Sequence, residues 1–163
     1  MTHTPAIEFP YCAYAPYLEN DYGFRVAIPG TDLAGFWRLR TAVFCNEQKI
    51  FAGSDRDQHD AAMIPLVCIS KLMGMDDRIV GAVRIEEREP GIWWGGRLCV
   101  DRAYRRIPAL SPGVAARYGL PRRWDSIGAA LIYMAVTMAH SHGCERFLAT
   151  VQRQNAGFFS ALH

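Results

Sequence analysis

The sequence predicts an α/β (α+β) domain with a mixed central sheet flanked by helices. Three observations carry that expectation. Strand-like and helix-like segments follow one another in the order β-α-loop-β-β-β-α-β-α. The run RRWDSIGAALIYMAV (Arg122 to Val136) opens a long apolar helix on small residues, directly after two arginines. Half of the 163 residues are hydrophobic, enough for one sizeable core.

Residues 1–20 are rich in Pro, Tyr and Ala without a clear period and read as an irregular arm, leaving 21–163 as a single domain. Tyr22 to Ile28 alternates with β-favouring residues, a first strand. Thr31 or Asp32 can cap the helix that follows, in which Leu33, Phe36, Trp37, Val43 and Phe44 recur at helical spacing. CNEQKIFAGSDRDQHDAAM is polar, acid-rich and loop-like. Pro65 to Met73 and Arg78 to Glu87 are strand candidates on either side of GMDD, a hairpin connection. REPGIWWGG reads as a second turn and RLCV (Arg97 to Val100) as a short buried strand. Residues 107–121, rich in Pro, Gly and Ala, read as an inserted loop. The apolar helix then runs to Gly143, with His140 and His142 in its last turn. Arg146 to Val151 reads as a strand, and NAGFFSALH begins another helix.

Composition narrows the function classes. A formal net charge of +2 is too mild to argue for a nucleic-acid partner. The N-terminus lacks a basic segment followed by an apolar core, so no secretory signal is expected. The longest apolar run, Ile127 to Ala139, is too short to span a bilayer, and no membrane partner is expected. Five scattered cysteines without CxxC spacing fit reduced thiols in a cytoplasmic protein.

The chemistry concentrates at the start of the apolar helix. A helix N-terminus offers free N–H groups and the positive end of its dipole, so it can hold a phosphate. Small residues at Ser126, Gly128, Ala129 and Ala130 allow close approach, and Arg122 and Arg123 can pair with the anion. The same features suit a tightly packed helix start with exposed arginines.

RWDSIG resembles the (Arg/Gln)-x-x-Gly-x-(Gly/Ala) turn with which the GNAT acyltransferase superfamily holds the pyrophosphate of acyl-CoA. Arg123 takes the first position, Ser126 replaces the first glycine, and Gly128 takes the last. GRLCVDRAYRR (Gly96 to Arg106) resembles the superfamily's fourth strand and the loop after it. The resemblance implies a GNAT-type acyl-CoA N-acyltransferase fold with acetyl-CoA as co-substrate and no metal. It places the cofactor against Leu98, Cys99, Val100, Arg105 and Arg106, and against Arg123, Ser126, Ile127, Gly128, Ala129 and Ala130. Residues 107–121 depart from it as an insertion. VQRQNAGFFSALH resembles the region where members carry an amide and, about seven residues on, a tyrosine that protonates the leaving thiolate. Gln152 fits the amide and Phe159 the tyrosine, with Asn155 and Phe158 beside the cofactor. A phenyl ring donates no proton, so another group, water or positioning alone must serve. Phe158 and Phe159 equally suit a plain core.

On the acceptor side, Arg40 and Phe44, then Asp57 and Asp60, then Arg84 resemble the Arg-x-x-x-Phe, Asp-x-x-Asp and Val-Gly-x-x-Arg pattern of acyl-homoserine-lactone synthases. There this set shapes the S-adenosylmethionine side. Arg97 matches the arginine of their Glu-x-x-Arg signature, with Trp94 where the glutamate belongs. From Phe36 to His163 the chain is similar to bacterial GNAT N-acetyltransferases linked to nitrogen starvation and a nitrilase gene cluster. Those relatives usually continue past the position of His163 with a Trp and a final strand pair, so the expectation is either truncation at the C-terminus or a sheet completed in another way.

Transfer to an amine needs a proton acceptor and donors for the developing oxyanion. By resemblance the backbone N–H of Val100 or Cys99 supplies the donor. Glu47, Asp57, Asp60 and, through water, Glu86 are candidate bases, although the loop carboxylates equally suit turn capping or pairing with Arg56. A charge at Arg84, inside an apolar strand, demands an acid such as Asp60. His59 between Asp57 and Asp60 lacks the ligand spacing of a zinc site. Cys45 and Cys99 could be nucleophiles, but buried thiols are the commoner fate. The aromatics of GIWWGG suit a pocket, a homodimer contact or the core. The expected function is acetyl-CoA-dependent N-acetylation of a small amine or amino-acid-like acceptor by direct transfer. The alternatives are a lactone-type synthase and a CoA-binding domain without catalysis.

Overall fold

The computed structural model describes residues 21–109 and 125–160. The arm at 1–20, most of the insertion (110–121), Arg122 and Arg123 lie outside the described residues. The strands are β1 Tyr22–Val26, β2 Ile64–Leu72, β3 Met75–Glu89, β4 Ile92–Val100 and β5 Arg146–Ala149. The helices are α1 Asp32–Arg40, α2 Ile127–Ser141 and α3 Ala156–Ser160.

The five strands lie side by side in chain order, β1-β2-β3-β4-β5. The first four are antiparallel and β5 is parallel to β4, with α2 in the crossover between them. Alternation along β2 divides the core into two layers. Leu66 and Cys68 face α2, together with Val80, Val83, Ile85 and Trp93. Val67 and Ile69 face α1, together with Ala82 and Cys99. At Gly81 α2 packs close against the sheet, for a Cβ there would stand 2.8 Å from both Ile127 Cγ2 and Leu131 Cδ1. Gly81 pairs with Val100, so the first turn of α2 sits beside the C-terminal end of β4.

Three expectations need correction. The helix does not stay α-helical to Phe44. It widens into π turns over Thr41–Glu47, with the Gln48 N–H donating to the Val43 carbonyl at 2.9 Å. The wider turn buries Val43 and Phe44 together. The hairpin turn is Met73-Gly74 and not GMDD, for both residues have positive φ (51° and 80°), and Met75 to Asp77 already belong to β3. The IWWGG segment is strand, not turn, so the connection shrinks to Pro90-Gly91 and β4 begins at Ile92. Its glycines mark close approach instead of a bend. A Cβ on Gly95 would meet Phe147 Cζ at 2.9 Å, and one on Gly96 would meet Arg84 Nε at 3.4 Å.

Candidate active site

Two irregularities in the sheet shape the site. Ala82 pairs with Cys99 and Arg84 with Gly96, so β4 carries one extra residue between these pairs. Arg97 sits in that bulge with φ +54°, a left-handed conformation unusual for a side chain this large. Beside it the sheet opens. β4 and β5 pair only from Ile92 with Arg146 to Gly95 with Ala149. Past Gly95, β4 has no partner on that side among the described residues. The Asp101 N–H donates to the Val80 carbonyl at 2.8 Å, so strand alternation turns the Val100 N–H toward the open edge. The Val100 carbonyl accepts from Arg105 Nε at 2.9 Å.

A cleft of about 470 Å³ occupies this opening. Gly95, Gly96, Arg97 and Leu98 form one wall, Phe147, Ala149, Gln152, Asn155 and Phe159 the other, and Ile132 and Ala135 of α2 the base. Trp94, Phe44, Phe51, Asp57, His59, Arg84 and Arg88 lie at the remaining side. The aromatics of IWWGG therefore divide, with Trp93 buried in the core and Trp94 lining the cleft. Across the chain, Gln152 Nε2 donates to Gln48 Oε1 at 3.1 Å, which ties the end of the π segment to the residues after β5.

The arginines and aspartates singled out by the sequence meet in one buried network. Arg40 is completely buried and donates to Asp55 at 2.7 Å and to Asp60 at 2.6 Å. Arg84 reaches Asp57 at 2.6 Å and Asp60 at 2.7 Å. Arg97 donates to Asp57 at 2.9 Å and to the Asp55 carbonyl at 3.1 Å. Ring faces complete the packing, with Trp37 against Arg40 (4.6 Å) and Phe51 against Arg97 (4.5 Å). Asp55 is the member sequence reasoning missed. Its signal was the arithmetic of partners, since a cation at Arg40 among Leu39 and Val43 needs its own acid.

Asp57 and Asp60 also organise their own loop. The Asp57 carboxylate accepts from the His59 N–H at 3.0 Å, and the Asp60 carboxylate from the Asp57 N–H at 2.9 Å. That reciprocal pair caps the short 3₁₀ turn Gln58–Ala61. Bonds from Arg84 pull the Asp57 carboxyl from 3.8 down to about 2, against the opposing pull of burial. Burial would raise Asp60, but the bonds from Arg40, the Asp57 N–H and Arg84 outweigh it and hold that carboxyl below its ordinary value. A carboxyl depressed in the folded state stabilises the fold above its unfolded pKa, and that contribution disappears as pH falls through the folded pKa. Urea midpoints are therefore expected to fall steeply between about pH 4 and pH 2, and Asp57→Asn to flatten that step.

The other sequence candidates sit as follows. Glu47 is held by Arg105 in a two-pronged pair at 2.6 and 2.8 Å, and that bond lowers its pKa. Arg106 is exposed in the turn after β4. Cys99 is buried, and burial pushes its thiol up to about 12. Cys45, Cys68, Cys99 and Cys144 are free thiols. Ser126 caps α2, its hydroxyl accepting from the Ala129 N–H at 3.2 Å. The side chains of Ile127 and Ala129 are buried, so only their backbone could face a ligand. Asn155 is exposed; of Phe158 only the backbone is described. His59 Nδ1 lies 3.2 Å from Glu86 Oε1, a pairing that the spacing of the sequence does not reveal.

Similarity in three dimensions ties this geometry to known proteins. A provisionally assigned N-acetyltransferase from Lactobacillus plantarum superposes with a TM-score of 0.65 at 19% identity, over 86% of this chain and 82% of that one. An acyl-CoA N-acyltransferase from Pseudomonas aeruginosa gives 0.58 at 18%, over 86% and 85%. A GNAT-family acetyltransferase from Staphylococcus aureus gives 0.59 at 12%, over 86% and 82%. The chain has the GNAT acyltransferase fold. No protein-family model matches the sequence, and no curated protein matches it. At these identities the likeness reaches the GNAT fold and stops there, so the nitrogen-starvation group and the lactone synthases stay resemblances carried by motifs. No helix among the described residues is long and apolar enough to cross a membrane.

Proposed function

We propose that the protein is an acetyl-CoA-dependent N-acetyltransferase that passes acetyl directly to a small amine. The observation that carries this reading is the opening between β4 and β5 beside the Arg97 bulge, with the Val100 edge turned toward it. A thioester laid along that edge places its carbonyl oxygen within reach of the Val100 N–H, which stabilises charge as it develops. The Ser126-capped start of α2 lies beside the same end of β4. Ser126 satisfies the Ala129 N–H and leaves the N–H groups of Ile127 and Gly128 for a pyrophosphate.

Direct transfer fits the Cys99 thiol better than a covalent enzyme intermediate. A Cys99 thiol held near 12 stays protonated at neutral pH, and the thiolate is the nucleophilic form. The three arginines Arg40, Arg84 and Arg97 are matched by three aspartates, so the network is charge-balanced and positions the wall of the cleft.

The test is a panel of small amines assayed for free CoA thiol, with binding followed by thermal shift. Thiol release that needs both acetyl-CoA and an amine is the expected result. Binding without release across the panel would replace catalysis by ligand sensing, and no melting shift at millimolar CoA would overturn the reading.

A further inference from the structure

The proton acceptor that the sequence left open has a candidate in the folded chain. His59 comes from the acid-rich loop, and Glu86 and Arg88 from the far half of β3, twenty-seven residues or more away along the chain. Glu86 is buried, and its Oε1 accepts from Arg88 at 2.6 Å and faces His59 Nδ1 at 3.2 Å. A carboxylate 3.2 Å from Nδ1 favours the neutral tautomer that carries its proton there, which leaves the lone pair on Nε2. No described group bonds Nε2. The ring is partly exposed and lines the cleft, and Glu86 pairs across the sheet with Trp94, one residue before the opening at Gly95. The Asp57 carboxylate fixes the His59 backbone from the other side.

Resting on the transferase reading, we infer that His59 is the general base of the reaction, oriented by Glu86. The amine nitrogen attacks the thioester carbonyl carbon and forms the C–N bond. The C–S bond then breaks with its electron pair on sulfur. Nε2 takes one proton from the amine nitrogen and returns it, through water, to the departing CoA thiolate, so amine and thioester become amide and thiol and the imidazole is left neutral. Three of the four carboxylates named from the sequence are poorer bases. Asp57 and Asp60 are held ionised by arginines, and Glu47 is held by Arg105. The charged groups around the imidazole are Asp57 and Asp60 on its own loop, Glu86, Arg84 and Arg88 on β3, and Arg97 on β4.

The test is His59→Asn, whose amide can keep the donor toward Glu86 but offers no basic nitrogen. The expected result is a fall in kcat of about 100-fold or more, with the melting temperature and the acetyl-CoA-induced shift unchanged and the acidic limb of the pH–rate profile lost. Glu86→Gln is the second variant. Removing the carboxylate frees the ring from its fixed tautomer and orientation, so kcat should fall while the KM for acetyl-CoA holds, a split that a purely structural pairing would not produce. Wild-type protein that turns over while His59→Asn keeps its rate and its acidic limb overturns the role of His59 alone. Wild-type protein that binds CoA but releases no thiol overturns the transferase reading, and this role with it.

Discussion

Replacing Arg40 with alanine is expected to lower the unfolding free energy by about 3–5 kcal/mol, with a fall of about 10 °C or more in melting temperature. The size follows from what is left behind. Arg40 has no exposed surface, and Asp55, its partner at 2.7 Å, is 1% exposed. Asp55 Oδ1 already has no hydrogen-bond partner among the described residues, and its other oxygen accepts from Arg40 Nε, with Arg97 Nε farther away at 3.3 Å. Removing the guanidinium leaves the buried Asp55 carboxylate with only the longer Arg97 contact, frees the Arg40 side of Asp60, and opens a cavity against Phe36 and Trp37. Arg40→Lys should recover only part of the loss, because an ammonium cannot reach both aspartates with the fixed geometry of a guanidinium. Arg38→Ala, on the exposed side of the same helix, should stay within about 0.5 kcal/mol. Urea denaturation of the three variants checks this, and a loss below about 1 kcal/mol for Arg40→Ala would mean that the network is dispensable.

The second large effect is on binding. Gly128→Glu is expected to abolish the CoA-induced rise in melting temperature while leaving the free protein as stable as before or slightly more so. Gly128 is the second residue of α2, where a negative side chain interacts favourably with the helix dipole and where glycine is a poor helix former. The same carboxylate would stand where the proposed pyrophosphate meets the N–H groups, and like charges there repel. For the parent, ligand at about 100 times its Kd contributes about 2.7 kcal/mol, a shift of several degrees. Gly128→Ala tests whether the defect is charge or bulk, since alanine adds only a methyl group. An undiminished shift in Gly128→Glu would move the pyrophosphate away from the start of α2. The pair of variants separates ligand from fold, because stability and binding are expected to change in opposite senses.

Legibility from sequence followed the range of the forces involved. Helix α2 was readable at both ends, because Ser126 caps through a bond to a residue three positions on and Gly143 ends the chain's turn with φ +84°. Strand-like composition gave β2 and β3 from Arg78 to Glu87, but not the start of β3 at Met75. The WWGG segment misled because glycine ordinarily signals a turn, whereas here Phe147 and Arg84, far away in the chain, require the absence of a Cβ. The acid-rich loop was read as a loop, and its Asp57 and Asp60 as partners of arginine. Neither Asp55 nor the pairing of His59 with Glu86 could be read that way, because both depend on which side of β3 the loop folds against.

The sequence by itself determined the order of the elements, the capped small-residue start of α2, and the need of Arg84 for an acid. Each of these follows from periodicity, local capping or the cost of burying a charge, which act through neighbours in the chain or through composition. Only the tertiary structure decided that β4 bulges at Arg97, that β4 and β5 part after Gly95, that Cys99 is sealed in the core, and that His59 reaches Glu86. These are consequences of strand register and of contacts between residues distant in sequence, and a one-residue shift in register would send each side chain to the other face of the sheet.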